Sequence, residues 1–426
     1  MVSAIFIGLI IFTTALFVYS LVSHRIEGSI ITAPMIFVGI GMLVSPKGFD
    51  LLSTGADNEI LLAFAEIALV LILFSDAARI DFRTLKGNRN IPSRLLGIGL
   101  PLTIFFGAVV AILMFTDISL AEAALISAIL APTDAGLGQV IVNSPNVPAR
   151  IRQALNVESG LNDGGAIPFF AFFLVIAEAE EATIPASQWI IFAFEQIGWG
   201  ILVGLIVGLV GGYFVNKAIQ KGLMRGRFQW IGFLALAVVS YVVATLFGGS
   251  GFIAAFVGGL ATTFTGRGVG ESIIEFTSTG GEIFSLLVFF IFGVIAASII
   301  SGITPVIILY AVLSLTLIRM LPVALSLIKT GFHKESFLFV GWFGPRGLAS
   351  IVLLLMTLNE APDIPGLQTI AMVVSATVLF SVFAHGISAN PAITWYARKM
   401  ALLPADAPEL KEVIESPTRT NVLLKK

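Results

Sequence analysis

The segment Glu158-Ser159-Gly160-Leu161-Asn162-Asp163-Gly164-Gly165 sets two carboxylates, a hydroxyl and a carboxamide inside a stretch that otherwise reads as membrane-buried. A third acid, Asp134, follows Pro132 and Thr133 in the apolar stretch before it. A charge at bilayer depth costs about 2.5–3.5 kcal/mol on insertion scales, so such acids are functional candidates by default. On a helix, Glu158 and Asn162 share one face, and Ser159 and Asp163 share another about 100° round. Hard monovalent cations favour oxygen ligands. Asp163, Ser159, Asp134 and carbonyls freed near Thr133 would supply them, with Asn162 alongside. Burial favours the protonated form of a carboxylate and a bound cation the ionised form, so one acid can exchange the two ions. The plainer reading is a structural buried acid pair.

Glu158 needs a partner, because an unpaired buried carboxylate is costly. Two basic residues lie within apolar stretches: Arg319, in Leu317-Ile318-Arg319-Met320-Leu321-Pro322, and Arg346, beside Pro345. The preferred pairing is Arg319 with Glu158, leaving Arg346 to support its own interrupted helix; the reverse stays open. Either arrangement holds the site rather than binding the ion. Two earlier acids are possible additional members. Glu66 falls near mid-membrane and is favoured by depth, whereas Asp76 falls near the inner end, where a solvated pair with Arg79 is an equal reading.

These residues sit on elements that composition already constrains. Of 426 residues, 57% are hydrophobic and 12% charged, about half the charged share of a soluble domain. Continuous apolar runs point to an all-α membrane protein, since a membrane β-barrel alternates apolar and polar residues. About thirteen spans are expected, near residues 3–23, 29–45, 59–77, 94–116, 119–144, 153–179, 187–216, 229–247, 251–265, 273–300, 303–328, 335–359 and 364–389. The odd-numbered connections and the tail hold nearly all the Lys and Arg, so the N-terminus is expected outside and the C-terminus in the cytoplasm. The fifth and twelfth spans carry helix breakers, Pro132 and Pro345, each among glycines. Seven spans apart and oppositely directed, they fit two six-helix inverted repeats, in which paired broken helices mark a transporter's binding site. Two ordinary proline kinks are the plainer reading.

The chain has no cysteine, and its three histidines, His24, His333 and His385, are scattered. Neither a Walker-type Gly-Lys-Ser/Thr nor a nucleotide-binding pattern is present. No cofactor is expected, and no nucleic acid: the expected partners are a monovalent cation, a proton and the lipid bilayer. Residues 399–426 read as a short cytoplasmic tail, partly disordered.

Together, Leu130-Ala131-Pro132-Thr133-Asp134, the run from Asn156 to Gly164, and Gly344-Pro345-Arg346-Gly347 resemble the monovalent cation–proton antiporter family that includes the sodium/proton exchangers. The run from Phe74 to Asp81 resembles a further signature of its bacterial branch. The resemblance extends over about residues 3–398. It implies a multi-pass protein of the cell (inner) membrane that exchanges Na⁺, or Li⁺ or K⁺, for H⁺ in the service of pH homeostasis. Asp163 is then the carrier acid, with Asp134 and the Thr133 backbone beside it. Asn162 stands where the charge-moving branch has a second Asp, which implies electroneutral exchange. The resemblance also implies a homodimer. Its dimerisation part would comprise about residues 1–92 and 219–300, its mobile core about 93–180 and 303–390, and its linking helix about 187–217. One departure is Ala135, where many relatives have proline. Competing readings are an ion channel and, further off, an intramembrane aspartyl protease using Asp134 and Asp163.

Overall fold

The computed structural model describes residues 4–26, 29–52, 58–80, 90–181, 186–224, 227–265, 271–404, 406–411 and 413. Asp81, the basic residues Arg83, Lys86, Arg89, Arg225 and Arg267, and the tail beyond residue 413 lie outside the described residues.

Within them the regular structure is helical. The first half contains α1 (Ala4–Ile26), α2 (Ala33–Val44), α3 (Asn58–Ala78) and α4 (Asn90–Met114). It continues with α5, split into α5a (Leu120–Ile129) and α5b (Gln139–Val142), and then α6 (Ala149–Glu181). α7 (Ala186–Gln220) precedes α8 (Arg227–Leu246), α9 (Gly251–Thr262), α10 (Glu271–Ile299) and α11 (Pro305–Leu327). α12 is split into α12a (Lys334–Trp342) and α12b (Leu348–Glu360), and α13 is Leu367–Met400. Eight of these helices are long and apolar enough to cross a membrane, and four shorter ones are apolar. The fold is that of an all-α membrane protein.

Both expected breaks are present. Pro132 and Pro345 have no N–H to give to a preceding turn, and the chain around each runs without helix between the two halves of its span. Three local features depart from the expected spans. α4 contains a π-helical turn at Leu95–Gly99. α11 is interrupted at Thr316, with φ −108° and ψ −95°, just ahead of Arg319. α13 continues to Met400 although Pro391 biases the residue before it away from helix. Burial of Ile393, Tyr396 and Met400 beside α12a and the start of α6 outweighs that local preference.

The packing repeats itself across the two halves. α2 lies against α10, and α9 lies against α3, the contact that an offset of seven spans generates from it. At the first contact a Cβ on Gly41 would collide with the Phe290 carbonyl and crowd Gly293. At the second, a Cβ on Gly259 would collide with the Phe74 carbonyl and crowd Ala77. The three-residue spacing of the contacted positions is the same in both. Glycine at 41 and 259 lets the backbones approach where lipid offers helices no hydrophobic drive to associate. The resulting frame holds α5, α6 and α12 together at the site.

Candidate ion-binding site

The two broken helices meet through Asp134. Its N–H donates to the Pro345 carbonyl (2.8 Å). Its Oδ2 accepts from the Leu348 N–H (2.8 Å), at the first turn of α12b, and its Oδ1 accepts from the N–H groups of Gly136 (2.6 Å) and Leu137 (3.3 Å). A helix N-terminus leaves its first N–H groups unsatisfied and carries partial positive charge, so the carboxylate caps α12b from another element. Gly347 is glycine for close approach, since a Cβ there would collide with the Asp134 carboxylate. Ser350 donates back across the crossing to the Ile129 carbonyl at the end of α5a (2.7 Å).

α6 grips the same break from its other side. Asn162 accepts from the Thr133 N–H (3.2 Å) and donates to Thr133 Oγ1 (2.6 Å), so its carboxamide holds one residue at two points. Ser159 donates to the Thr133 carbonyl (2.7 Å). Asp163 follows one turn after Ser159 on the same face, buried like Thr133, Asp134, Ser159 and Asn162. The structure thus gathers Thr133, Asp134, Ser159, Asn162 and Asp163 at one place. It offers a carboxylate, hydroxyls and backbone carbonyls at the negative end of a half-helix, a donor set suited to a hard cation. Among the described residues no group of three or more His, Cys, Asp or Glu side chains could hold a metal ion.

Glu158 stands about 100° round α6 from Ser159 and forms a buried ion pair with Arg319 (2.6 Å). Arg346, fully buried, donates its Nη1 to the Gly344 carbonyl inside the break (2.7 Å). Two residues that the sequence did not single out brace this break from α13. Ser381 Oγ accepts from the Arg346 N–H (2.6 Å), and His385 donates its Nε2–H to the Trp342 carbonyl (2.8 Å). They stand four apart on one helix face, the one signal that could have marked them.

The two additional acids separate. Glu66 accepts from the Tyr241 hydroxyl on α8 (3.2 Å). It lies ten residues, or about 15 Å of helix, from Asp76. Asp76 is buried rather than solvated, 3.6 Å from Arg79, and its Cβ approaches Gly160 on α6. A small pocket opens against the break, lined by Thr133, Asp134, Ser159 and Pro345 and reaching Asn156, Leu155, Phe343, Ile141 and Val142. Asn156, whose motif the sequence displayed but whose side chain drew no assignment, lines this pocket too.

Residues 11–395 match the sodium/hydrogen exchanger transmembrane family. The chain is 26% identical over 413 residues to the K(+)/H(+) antiporter NhaP of Alkalimonas amylolytica, covering 93% of this chain and 69% of that protein. It is 27% identical over 317 residues to the Na(+)/H(+) antiporter of Schizosaccharomyces pombe, with 66% of each covered. The chain therefore spans about two thirds of the length of these relatives. Its fold is similar to that of the sodium proton antiporter MjNhaP1 from Methanocaldococcus jannaschii, with a TM-score of 0.75 at 21% identity, over 90% of this chain and 99% of that one. A helical membrane chain with two crossed, broken helices, matched along nearly its whole length, this protein belongs to the sodium/hydrogen exchanger family.

Proposed function

We propose that the chain is a secondary antiporter exchanging a monovalent cation for a proton at Asp163, by alternating access. The observation that carries this is the face of α6 on which Ser159 and Asp163 stand one turn apart, with Ser159 bonded into the α5 break. Asp163 is the one acid of the cluster on that face. Asp134 is held by three backbone N–H groups, and Glu158 is neutralised by Arg319. An aspartyl-protease dyad would need Asp134 and Asp163 to face a shared water, and both Asp134 oxygens are instead taken up by backbone N–H groups. The chain therefore transports rather than catalyses.

Asn162 contributes hydrogen bonds and no charge, so a single carboxylate alternates between a cation and a proton. One positive charge then moves each way, and the exchange is electroneutral. Na⁺ is the first cation to test, with Li⁺ and K⁺ beside it; the relatives are named for both Na⁺ and K⁺. The Arg- and Lys-rich connections favour a cytoplasmic C-terminus, in a protein of the inner membrane. The protein works as a homodimer, with residues 93–180 and 303–390 as the moving core. Among the described spans α1 is the least buried, which supports a face for lipid or a second copy.

In proteoliposomes with an internal pH dye, adding Na⁺, Li⁺ or K⁺ is expected to drive proton movement in the wild type. Asp163→Asn, shown to be inserted and folded, is expected to lose it. Undiminished exchange by that variant would sink the assignment.

A further inference from the structure

A cation that reaches Asp163 must exchange its hydration waters for protein oxygens on the way in, and a pocket lies beside the break, one helical turn from that residue at Ser159. Most polar groups there are already engaged: Ser159 donates to the Thr133 carbonyl, Thr133 Oγ1 accepts from Asn162, and the Asp134 carboxylate holds three N–H groups. Leu155, Ile141 and Phe343 supply apolar wall. Asn156 is different. It is half-buried, lines the same pocket, and makes no hydrogen bond to any described residue.

Its position on α6 is also ordered. Asn156, Ser159 and Asp163 stand at i, i+3 and i+7, a single stripe down one helix face. The steps are about 4.5 Å and 6 Å along the axis. The pocket is lined by Ile141 and Val142 of α5b and by Leu155 and Asn156 near the start of α6, the end of that helix that carries Arg150 and Arg152.

We infer that Asn156 is a cation ligand of the state open to the Arg150 face, supplying through its Oδ1 the first protein oxygen to replace water ahead of Ser159 and Asp163. This rests on the antiporter reading above and adds to it a sided, selectivity-bearing residue. Its carboxamide offers a neutral oxygen, so it helps strip water from a monovalent cation without holding it as a second carboxylate would. Because the residue serves one face, its loss weakens cation binding there. In a closed cycle the same factor then displaces the loaded carrier toward the other face.

The test is cation-driven proton flux in sided preparations, with the cation titrated in turn on the Arg150 face and on the opposite face, for wild type, Asn156→Ala and Asn156→Asp. Asn156→Ala is expected to raise KM on the Arg150 face by about fivefold relative to KM on the other face. Asn156→Asp retains an oxygen ligand and adds a negative charge, and is expected to lower that KM below the wild-type value. A ratio of the two KM values unchanged in Asn156→Ala overturns the inference, as does an equal rise on both faces. Should Asn156→Ala fail to fold, Asn156→Asp still decides: a KM lowered on the Arg150 face relative to the other face supports the ligand role, and a raised or unchanged ratio counts against it. Absence of flux in the wild type would instead defeat the antiporter reading itself, and the two failures are thereby separate.

Discussion

At the scale of residues, the site is a set of polar side chains that mostly hold one another. Glu158 and Arg319 illustrate the energetics. Both are buried at 2% exposure, so neither recovers its hydration, and each is tolerable only because of the other. Arg319→Ala should therefore destabilise the protein by about 3–5 kcal/mol by stranding the Glu158 carboxylate. Replacing both residues with apolar ones of similar volume should restore most of that loss. Thermal unfolding of the purified variants checks both expectations, and a double variant no better than the single would show that the pair does more than neutralise itself. The residue types of the cluster were legible in the sequence, because acids and breakers stand out in an apolar run. Their partners were not. Asp134 caps α12b across more than two hundred residues of chain, and His385 meets Trp342 only once α13 is folded beside α12a. Glu66 was favoured over Asp76 by depth alone, whereas it is Asp76 whose Cβ approaches α6.

At the scale of elements, the broken helices matter because each leaves poles inside the membrane, and each pole of α12 is answered by a group from elsewhere. The end of α12a meets His385, and the start of α12b meets Asp134. The other end of α12a is capped from the tail. Glu409 is fully buried there and accepts from the His333 N–H (2.6 Å) and the Ser336 hydroxyl (3.0 Å), while Arg150 at the start of α6 donates to the Pro408 carbonyl (2.6 Å). Burial alone would raise the Glu409 pKa, but the hydrogen bonds from His333 and Ser336 outweigh it and hold the carboxyl below its usual range. A depressed carboxylate stabilises the docked tail above its ordinary pKa of about 4.3, and that contribution fades only as pH falls through the lower folded value. Amide protection over residues 403–411, relative to the intrinsic exchange rate at each pH, should thus stay high through the neutral range and fall only in acid. Glu409→Ala should lower it at every pH. Protection that changes near neutrality would contradict the role given to Glu409. Sequence patterning located the breaks of α5 and α12, since proline announces them. It missed the break at Thr316, where no Gly or Pro marks a distortion held by backbone geometry. It also ended α13 too early, because Pro391 is a local signal and the burial of Tyr396 is a tertiary one.

At the scale of the whole molecule, the repeated contact of α2 with α10 and of α9 with α3 gives a frame with internal symmetry, and the crossing of α5 and α12 lies within it. A site between two such halves can be exposed to either side with few new contacts in each state, which is what alternating access requires. The charge arithmetic also belongs to this scale. Under the proposed reading, in which Asn162 is neutral and Asp163 the single exchanging acid, a full cycle moves no net charge. The rate of exchange in proteoliposomes should be unchanged when a potassium diffusion potential of either sign is imposed at fixed pH gradient, with Na⁺ as the exchanged cation. Acceleration by one polarity would mean that a second proton or charge travels with the cycle. The repeats were legible as two breaker-bearing spans seven apart, whereas the glycine contacts at Gly41 and Gly259 needed the fold, because glycines are frequent throughout this chain.

The most direct test of the central claim, that Asp163 holds either a cation or a proton, is proton release on cation binding by purified protein in weakly buffered detergent solution. Adding Na⁺, Li⁺ or K⁺ to the wild type should release about one proton per bound cation across the range where the site is protonated. Asp163→Asn should release none. Cation binding without proton release, or release undiminished in Asp163→Asn, would contradict the account.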